Sequence, residues 1–218
     1  DAARRTAGTV RGGTDLMPAS EPLAGPARDE IDRERAGHYR LISALLVRAP
    51  DAAMLRGLAQ LSGDSSPLGQ AYGALARTAA ATDPNAVARE HFELFVGVGR
   101  GELLPYASFY QTGFLNERPL AALRADLAVL GVARAPGHHD PEDHVAFIFE
   151  VMAQLADGTL APQGALTEAT VFERHLAPWA AQFFDDLAIA PSARFYRPLA
   201  EVGRLWIDIE ARAFALGH

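Results

Sequence analysis

An all-α fold is what the sequence predicts, and three observations lead to it. Ala (43) and Leu (26) far outnumber the β-branched Val (11) and Ile (6) among the 218 residues, a balance that favours helix over strand. Apolar residues recur at helical spacing over stretches of several turns. Cap residues followed by proline mark helix starts at Ser66-Pro67, Asp83-Pro84 and Asp140-Pro141. The pattern as a whole gives about eight helices in one compact unit.

Residues 1–27, rich in Gly, Ala, Pro, Ser and Thr without periodicity, read as a flexible arm. Ile31, Tyr39, Ile42, Leu45 and Leu46 then place a helix over residues 29–48, stopped by Pro50. Asp51 caps a short helix that turns Met54, Leu55, Leu58 and Leu61 inward, with Gly63 past its end. Ser66 and Asp83 cap the next two, and the second of these carries Val87, His91, Leu94 and Phe95 on one face. Gly97, Gly99, Gly101 and Pro105 interrupt the periodicity and predict a long connection. Pro119 opens a helix with Leu120, Leu123, Leu127 and Leu130 on one side and Gly131 as its stop. A loop from Val132 to His139 separates an N-terminal part, 28–131, from a C-terminal part, 140–218. Asp140 caps a helix with Val145, Ile148, Val151, Met152 and Leu155 inward, ending near Gly158. Phe172, Leu176, Trp179, Phe183 and Leu187 make a long helix that Pro178 kinks, and Phe195, Leu199, Val202, Leu205, Trp206 and Ile209 make the last.

Composition removes much common chemistry. There is no Cys, so disulfides, thiolate nucleophiles, iron–sulfur clusters and Cys-ligated zinc are excluded. All 20 basic residues are Arg, which rules out a P-loop lysine and lysine Schiff bases. The net charge of −7 disfavours nucleic acid and anionic lipid and favours a cationic partner. No apolar run reaches the ~18 residues needed to cross a bilayer. Arg4-Arg5 has no apolar stretch after it, so an export signal is not expected there.

Three constellations stand out. His138-His139-Asp140, with Glu142, Asp143 and His144, offers imidazole and carboxylate groups that suit a metal ion, although neighbours on a helix diverge by about 100° each. The alternative is an acidic first turn, with Asp140 as cap and Asp143 at the third helical position. A metal-binding protein or enzyme built on His138, His139, Asp140 and His144 is therefore the competing reading. The run Gly97-Val-Gly99-Arg-Gly101 lacks the strand before it and the helix after it that dinucleotide binding requires, and reads as a turning loop. Tyr106, Phe109 and Tyr110 follow, either as core or as the lining of a groove for an apolar peptide. No Gly-x-Ser-x-Gly elbow surrounds Ser43 or Ser108, and His175 reads as a core or interface histidine.

Taken in order, Glu90-x-x-x-Leu94-Phe95-x-Gly97, Pro105-Tyr106-x-Ser108-x-Tyr110 and Asp140-Pro141-Glu142-Asp143-His144 resemble the signature of the TorD/DmsD family, relatives of NarJ. The likeness extends through Phe172-x-x-His175-Leu176-x-Pro178-Trp179 and Phe195-Tyr196, over residues 36–212. Phe95 to Gly101 and Gln111 to Leu120 are most similar to the subgroup that accompanies formate dehydrogenases. The resemblance implies an all-helical, cytoplasmic chaperone, not an enzyme and without a cofactor. Such a chaperone binds the twin-arginine signal peptide of a molybdenum or tungsten oxidoreductase and delays export until cofactor insertion. It also implies a monomer, with a domain-swapped dimer hinged at 132–139 as the alternative. Family positions tied to the leader match Leu94, Phe95, Pro105, Tyr106, Asp143 and His144. Two positions depart from the pattern: His91 stands where an aromatic is usual, and Asp140 where Glu is frequent.

These expectations give the site a physical form. Guanidinium groups require carboxylates beside an apolar groove. Asp143, helped by Glu142 and Asp140, is expected to meet the arginines, and Leu94, Phe95, Tyr106 and Phe109 to accept the apolar stretch, with Ser108 and Tyr110 nearby. His144 is expected to position Asp143 or to bond leader backbone.

Overall fold

The computed structural model describes residues 26–132 and 140–217. Among them are ten α-helices: α1 (Pro26–Val47), α2 (Ala52–Leu58), α3 (Pro67–Ala81), α4 (Pro84–His91), α5 (Ala107–Thr112), α6 (Arg118–Val129), α7 (Val145–Ala156), α8 (Glu168–His175), α9 (Ala180–Ile189) and α10 (Tyr196–Leu216). The described residues form no sheet, so the fold is all-α, with ten helices instead of eight. The arm expected over 1–27 falls almost wholly outside the described residues.

Helix α7 is the centre of the core. Nine of its side chains are buried, from Val145 to Ala156, which is the mark of a helix surrounded on most sides by protein. It packs along α1, whose inward stripe is Ala36, Tyr39, Ile42 and Leu46, while α10 packs against α9 and α3. One hydrophobic cluster therefore runs from Ala36 to Ile207 through both halves of the chain. Edge-to-face rings join its layers, Tyr39 to Phe149 at 5.4 Å and Phe149 to Phe184 at 5.9 Å. Gly203 lets α10 approach α9, because a Cβ there would sit 2.2 Å from the Phe184 ring.

Local caps behave as the sequence predicts. Asp51 accepts from the Met54 N–H, Ser66 from Gly69, and Asp83 from Asn85 and Ala86. Elsewhere caps come from far along the chain. Helix α10 has no side-chain cap of its own; instead Glu90 accepts the backbone N–H groups of Arg194 (2.7 Å), Phe195 (3.0 Å) and Tyr196 (2.8 Å). A carboxylate on a helix N-terminus satisfies orphan donors and meets the positive end of the helix dipole. Near the other end of α10, the almost fully buried Glu210 takes Arg35 through two hydrogen bonds (3.0 and 2.5 Å) and the Tyr39 hydroxyl (2.8 Å). Arg35 also donates to Glu168 at 2.6 Å, so α1, α8 and α10 share one ionic network. Burial opposes the Arg35 charge, yet the hydrogen bonds and charge of Glu210, with Glu168 behind it, hold its pKa above the usual value.

Three sequence expectations change here. The helix expected across Phe172 to Leu187 is two helices, because Pro178 has no N–H to offer and the chain turns through Leu176–Trp179. The Trp179 indole N–H then satisfies the His175 carbonyl at 2.6 Å. The helix expected from Asp140 starts instead at Val145, with His144 as its cap, so Asp140 is not a cap and Asp143 is not at a third helical position. Helix α5 was absent from the pattern: it is short and its cap lies 35 residues away.

The glycine run is a close backbone return. Helix α4 passes into a π-helical turn, Phe92–Val96, and Gly97 leaves it at φ 64°. The chain then folds back, Glu102 N–H to Glu93 O at 3.0 Å and Leu103 N–H to Leu94 O at 2.8 Å. A Cβ on Gly101 would lie 2.6 Å from the Leu94 carbonyl oxygen, which explains that glycine without any phosphate.

Replacing Glu90 leaves three N–H groups at the start of α10 without an acceptor, two of them buried. Glu90→Ala is expected to lower the unfolding free energy in urea by about 2–4 kcal/mol, and Glu90→Gln by roughly half as much. A change below about 0.5 kcal/mol for the Ala variant contradicts the cap.

Candidate functional site

The second and third sequence motifs are joined backbone to backbone. Tyr106 and His144 form an antiparallel bridge, flanked by Ala107 N–H to Asp143 O (2.9 Å) and Val145 N–H to Pro105 O (2.8 Å). From that pairing the Asp143 side chain turns inward. Its Oδ2 accepts from the Ser108 N–H at 2.8 Å and from the Ser108 hydroxyl, and so supplies the cap that α5 lacks. Both Asp143 and Ser108 have no exposed surface. The other oxygen, Oδ1, is buried without a hydrogen-bond partner among the described residues.

His144 points along a different path. Its Nδ1 accepts from the Ala146 N–H (3.1 Å) as the cap of α7, and its ring stands edge-on to Tyr106, with centroids 5.1 Å apart. An Nδ1 that accepts cannot also carry a proton, and the packed surroundings desolvate the cation. Burial therefore pushes His144 down to about 4, with the His91 side chain opposing its charge and Asp140 favouring it. Burial, reinforced by the charges of Asp140 and Asp143, pushes the Tyr106 phenol up to about 12.

The first motif adjoins this junction through His91. The His91 ring lies 5.1 Å from Phe95 and 5.8 Å from Tyr196, and Phe95 lies 5.3 Å from Tyr196. His91 thus takes the place of an aromatic in a ring cluster with Phe95 and Tyr196.

Beside this junction is a cleft of about 560 Å³ between α1 and α7. One stripe of α7, Phe147, Glu150, Val151 and Gln154, faces Ser43 and Val47 of α1. Val132 and Leu160 extend the apolar wall, and Asp140, Glu142 and His144 stand at the N-terminal end of α7. Among the described residues no arginine lines the cleft, and the carboxylates there are those of Asp140, Glu142 and Glu150. Asp140 is exposed; Glu142 is held by Arg124 at 2.8 Å, and Glu150 accepts from Gln154 at 3.1 Å.

Of the residues expected from the sequence, Asp140, Glu142 and His144 line this cleft. Leu94, Pro105, Ser108 and Asp143 are buried behind it as structural groups. A side chain with no exposed surface cannot pair directly with a guanidinium group, so the expected Asp143 contact is corrected to a cap on α5. Phe109 lies under the Arg100 guanidinium at 5.4 Å, and Tyr110 packs on Trp179 (5.4 Å) and donates to Asp186 (3.1 Å). Neither lines the cleft, and nor do Phe95 and Tyr106. The apolar wall is Val47, Val132, Phe147, Val151 and Leu160, which sequence reasoning missed because their spacing is that of ordinary core residues.

The metal reading gains no support. His138 and His139 lie outside the described residues, and among the described residues no group of three or more His, Asp or Glu is arranged to hold a metal. His175, buried, hydrogen-bonds Asp126 at 2.8 Å, and burial lowers its pKa against the pull of that carboxylate. Among the described residues no helix is long and apolar enough to cross a membrane.

Comparison with known proteins follows the same lines. Residues 62–185 match the family described as Nitrate reductase delta subunit. A 71-residue stretch is 37% identical to the chaperone protein TorD of Vibrio cholerae, in strains O395 and M66-2 alike, over 32% of this chain and 32% of that protein. The match thus spans about a third of these relatives' length. In three dimensions the chain is similar to a crystal structure described as a redox enzyme maturation protein from Archaeoglobus fulgidus. The TM-score is 0.51 at 16% identity, over 86% of this chain and 97% of the other, a likeness of fold.

The His144 environment makes stability depend on pH. Its folded pKa lies near 4, below the ordinary 6.5, so the unfolded chain takes up the proton first. The stability contributed by the neutral ring is whole above about pH 6.5 and is lost as pH falls toward 4. His38, His91 and His175, also lowered chiefly by burial, act with the same sign. Thermal melts at stepped pH should show the midpoint falling across that window. His144→Asn, which keeps a capping oxygen but does not titrate, should reduce the fall by about 2–4 °C.

Proposed function

The chain belongs to the nitrate reductase delta subunit family, and from that premise we propose that it is a maturation chaperone for a molybdenum or tungsten oxidoreductase. It holds the enzyme's twin-arginine leader in the cleft between α1 and α7 until the cofactor is in place. The carrying observation is that, among the described residues, this cleft combines apolar walls with the carboxylates of Asp140, Glu142 and Glu150 and no lining arginine. A leader of two guanidinium groups and an apolar segment has the complementary pattern.

In this reading Asp140 meets the arginines, because a carboxylate accepts a guanidinium through two parallel, charge-assisted bonds, and Glu142, held by Arg124, adds its charge beside it. Val47, Phe147 and Val151 take the apolar residues that follow. Asp143 acts one step behind: by capping α5 and pairing through its backbone with Ala107, it fixes the turn that presents Asp140 and Glu142. His144 starts α7, the helix that forms the floor. The role is binding, with no turnover and no resident cofactor. Release follows when a competing partner binds the leader more tightly. A cytoplasmic monomer suits that role, and the net charge of −7 suits a cationic client segment and not nucleic acid. The likeness of Phe95 to Gly101 and Gln111 to Leu120 makes a formate dehydrogenase the preferred client.

The test is fluorescence anisotropy with a synthetic twin-arginine leader of a formate dehydrogenase and its Lys-Lys variant. Asp140→Asn is expected to weaken the arginine leader by about threefold to tenfold with an unchanged melting temperature. Asp143→Ala is expected to lower the melting temperature, as loss of a buried cap does. Equal affinities of both leaders for wild type and Asp140→Asn would remove the charge contact.

A further inference from the structure

Where α4 runs into the π-helical turn, two parts of the chain are tied together. Glu90 holds the start of α10, and Glu102 holds Ser192 in the connection from α9 to α10. On these tied segments four large apolar side chains face water: Phe92 (40% exposed), Val96 (53%), Val98 (97%) and Ile189 (79%). None of them lines the cleft between α1 and α7. The backbone under the first three is fixed, by Gly97 N–H to Phe92 O at 2.7 Å and by the return of Glu102 and Leu103 onto Glu93 and Leu94. An ordered turn that holds a valine almost wholly in water gains nothing from it within the monomer.

The same segments carry Arg89, Arg100, Arg194 and Arg197, all exposed. Their bonds leave the charge unneutralised: Arg194 donates to the Pro191 and Ala193 carbonyls, Arg197 to the Ala188 carbonyl, and Arg100 stands over the Phe109 ring at 5.4 Å. The ion pairs of the described residues use Arg35, Arg40, Arg124, Arg174 and Arg204, and none of these four. Within residues 89–102 and 188–197 the carboxylates are Glu90, Glu93 and Glu102, and the first and last are turned onto backbone N–H groups. This end is therefore locally basic on a chain of net charge −7.

We propose that it is a docking surface for an acidic, partly apolar segment of a partner protein. Val98, Val96, Phe92 and Ile189 supply apolar burial, and the arginines select carboxylates through charge-assisted bonds. The negative charge of the rest of the chain repels the same segment elsewhere, so the patch also decides where it lands. That overall charge equally disfavours an anionic lipid surface. The surface differs from the leader cleft in its residues and in its sign, and does not depend on it.

The test is fluorescence anisotropy with a fluorescein-labelled synthetic peptide of glutamates alternating with leucine and phenylalanine. A control peptide carries glutamine in place of each glutamate. The full chain is compared with Val98→Ser and with a combined Arg89→Gln, Arg100→Gln variant, whose melting temperatures should be unchanged because these side chains are exposed. Each variant is expected to weaken the acidic peptide by about threefold to tenfold, with wild-type affinity falling as salt is raised. The glutamine peptide should bind wild type and the arginine variant alike. No saturable binding of the acidic peptide, or equal binding by all three proteins, overturns the proposal. Binding to phosphatidylglycerol vesicles that both variants lose, without peptide binding, overturns it in favour of a membrane. A wild-type dimer in sedimentation that Val98→Ser abolishes gives the patch to a second copy and overturns it likewise.

Discussion

Helix N-termini capped by carboxylates from remote parts of the chain are the constraint on which the structure depends. Glu90, at the end of α4, closes the start of α10, and Asp143, just before α7, closes the start of α5. Neither of these helices has a cap of its own. A buried N–H without an acceptor costs about 1–3 kcal/mol, so each contact couples two distant segments with an energy comparable to a core side chain. Together they explain why acidic residues recur in the motifs: the two buried ones cap helices.

That division of labour places the neighbouring acids at the cleft. The turn before α7 turns one carboxylate inward onto Ser108 and leaves its neighbours, Asp140 and Glu142, on the cleft. Among the described residues no arginine lines this cleft, although Arg124 reaches its rim to pair with Glu142. Arg35, Arg40, Arg174 and Arg204 are instead paired with carboxylates elsewhere on the surface or at helix junctions. The cleft therefore keeps its negative field beside apolar walls, the condition for attracting a cationic and partly apolar segment.

The glycine-rich connection serves the same economy of close contacts. Gly97 takes a positive φ, and Gly101 lies against the backbone of the π-helical turn, so the loop returns tightly over Leu94. From there Glu102 reaches the Ser192 N–H at 3.2 Å and its hydroxyl, binding the loop to the connection between α9 and α10. The turning loop expected from the sequence is also a brace between two helix ends.

Helices with local signals were legible. Asp51, Ser66 and Asp83 announce their helices because a cap and the N–H groups it satisfies lie within three residues. The stripes of α1 and α10 declare the core because periodicity alone decides which face is buried. Helix α5, the true start of α7 and the break at Pro178 were not legible, since each depends on a partner reached only after folding or on a turn that competes with helix. The site divides in the same way. Asp140, Glu142 and His144 could be named from their order in the chain, whereas the burial of Asp143 and the wall formed by Val47 and Phe147 depend on α1 lying across α7. Residue order alone determined the helices that carry their own caps and stripes, the acidic turn and the absence of cysteine and lysine chemistry, because these are properties of neighbouring residues. Which carboxylate is a hidden cap and which faces the cleft was decided by tertiary packing, because burial is a relation between segments that no local spacing encodes.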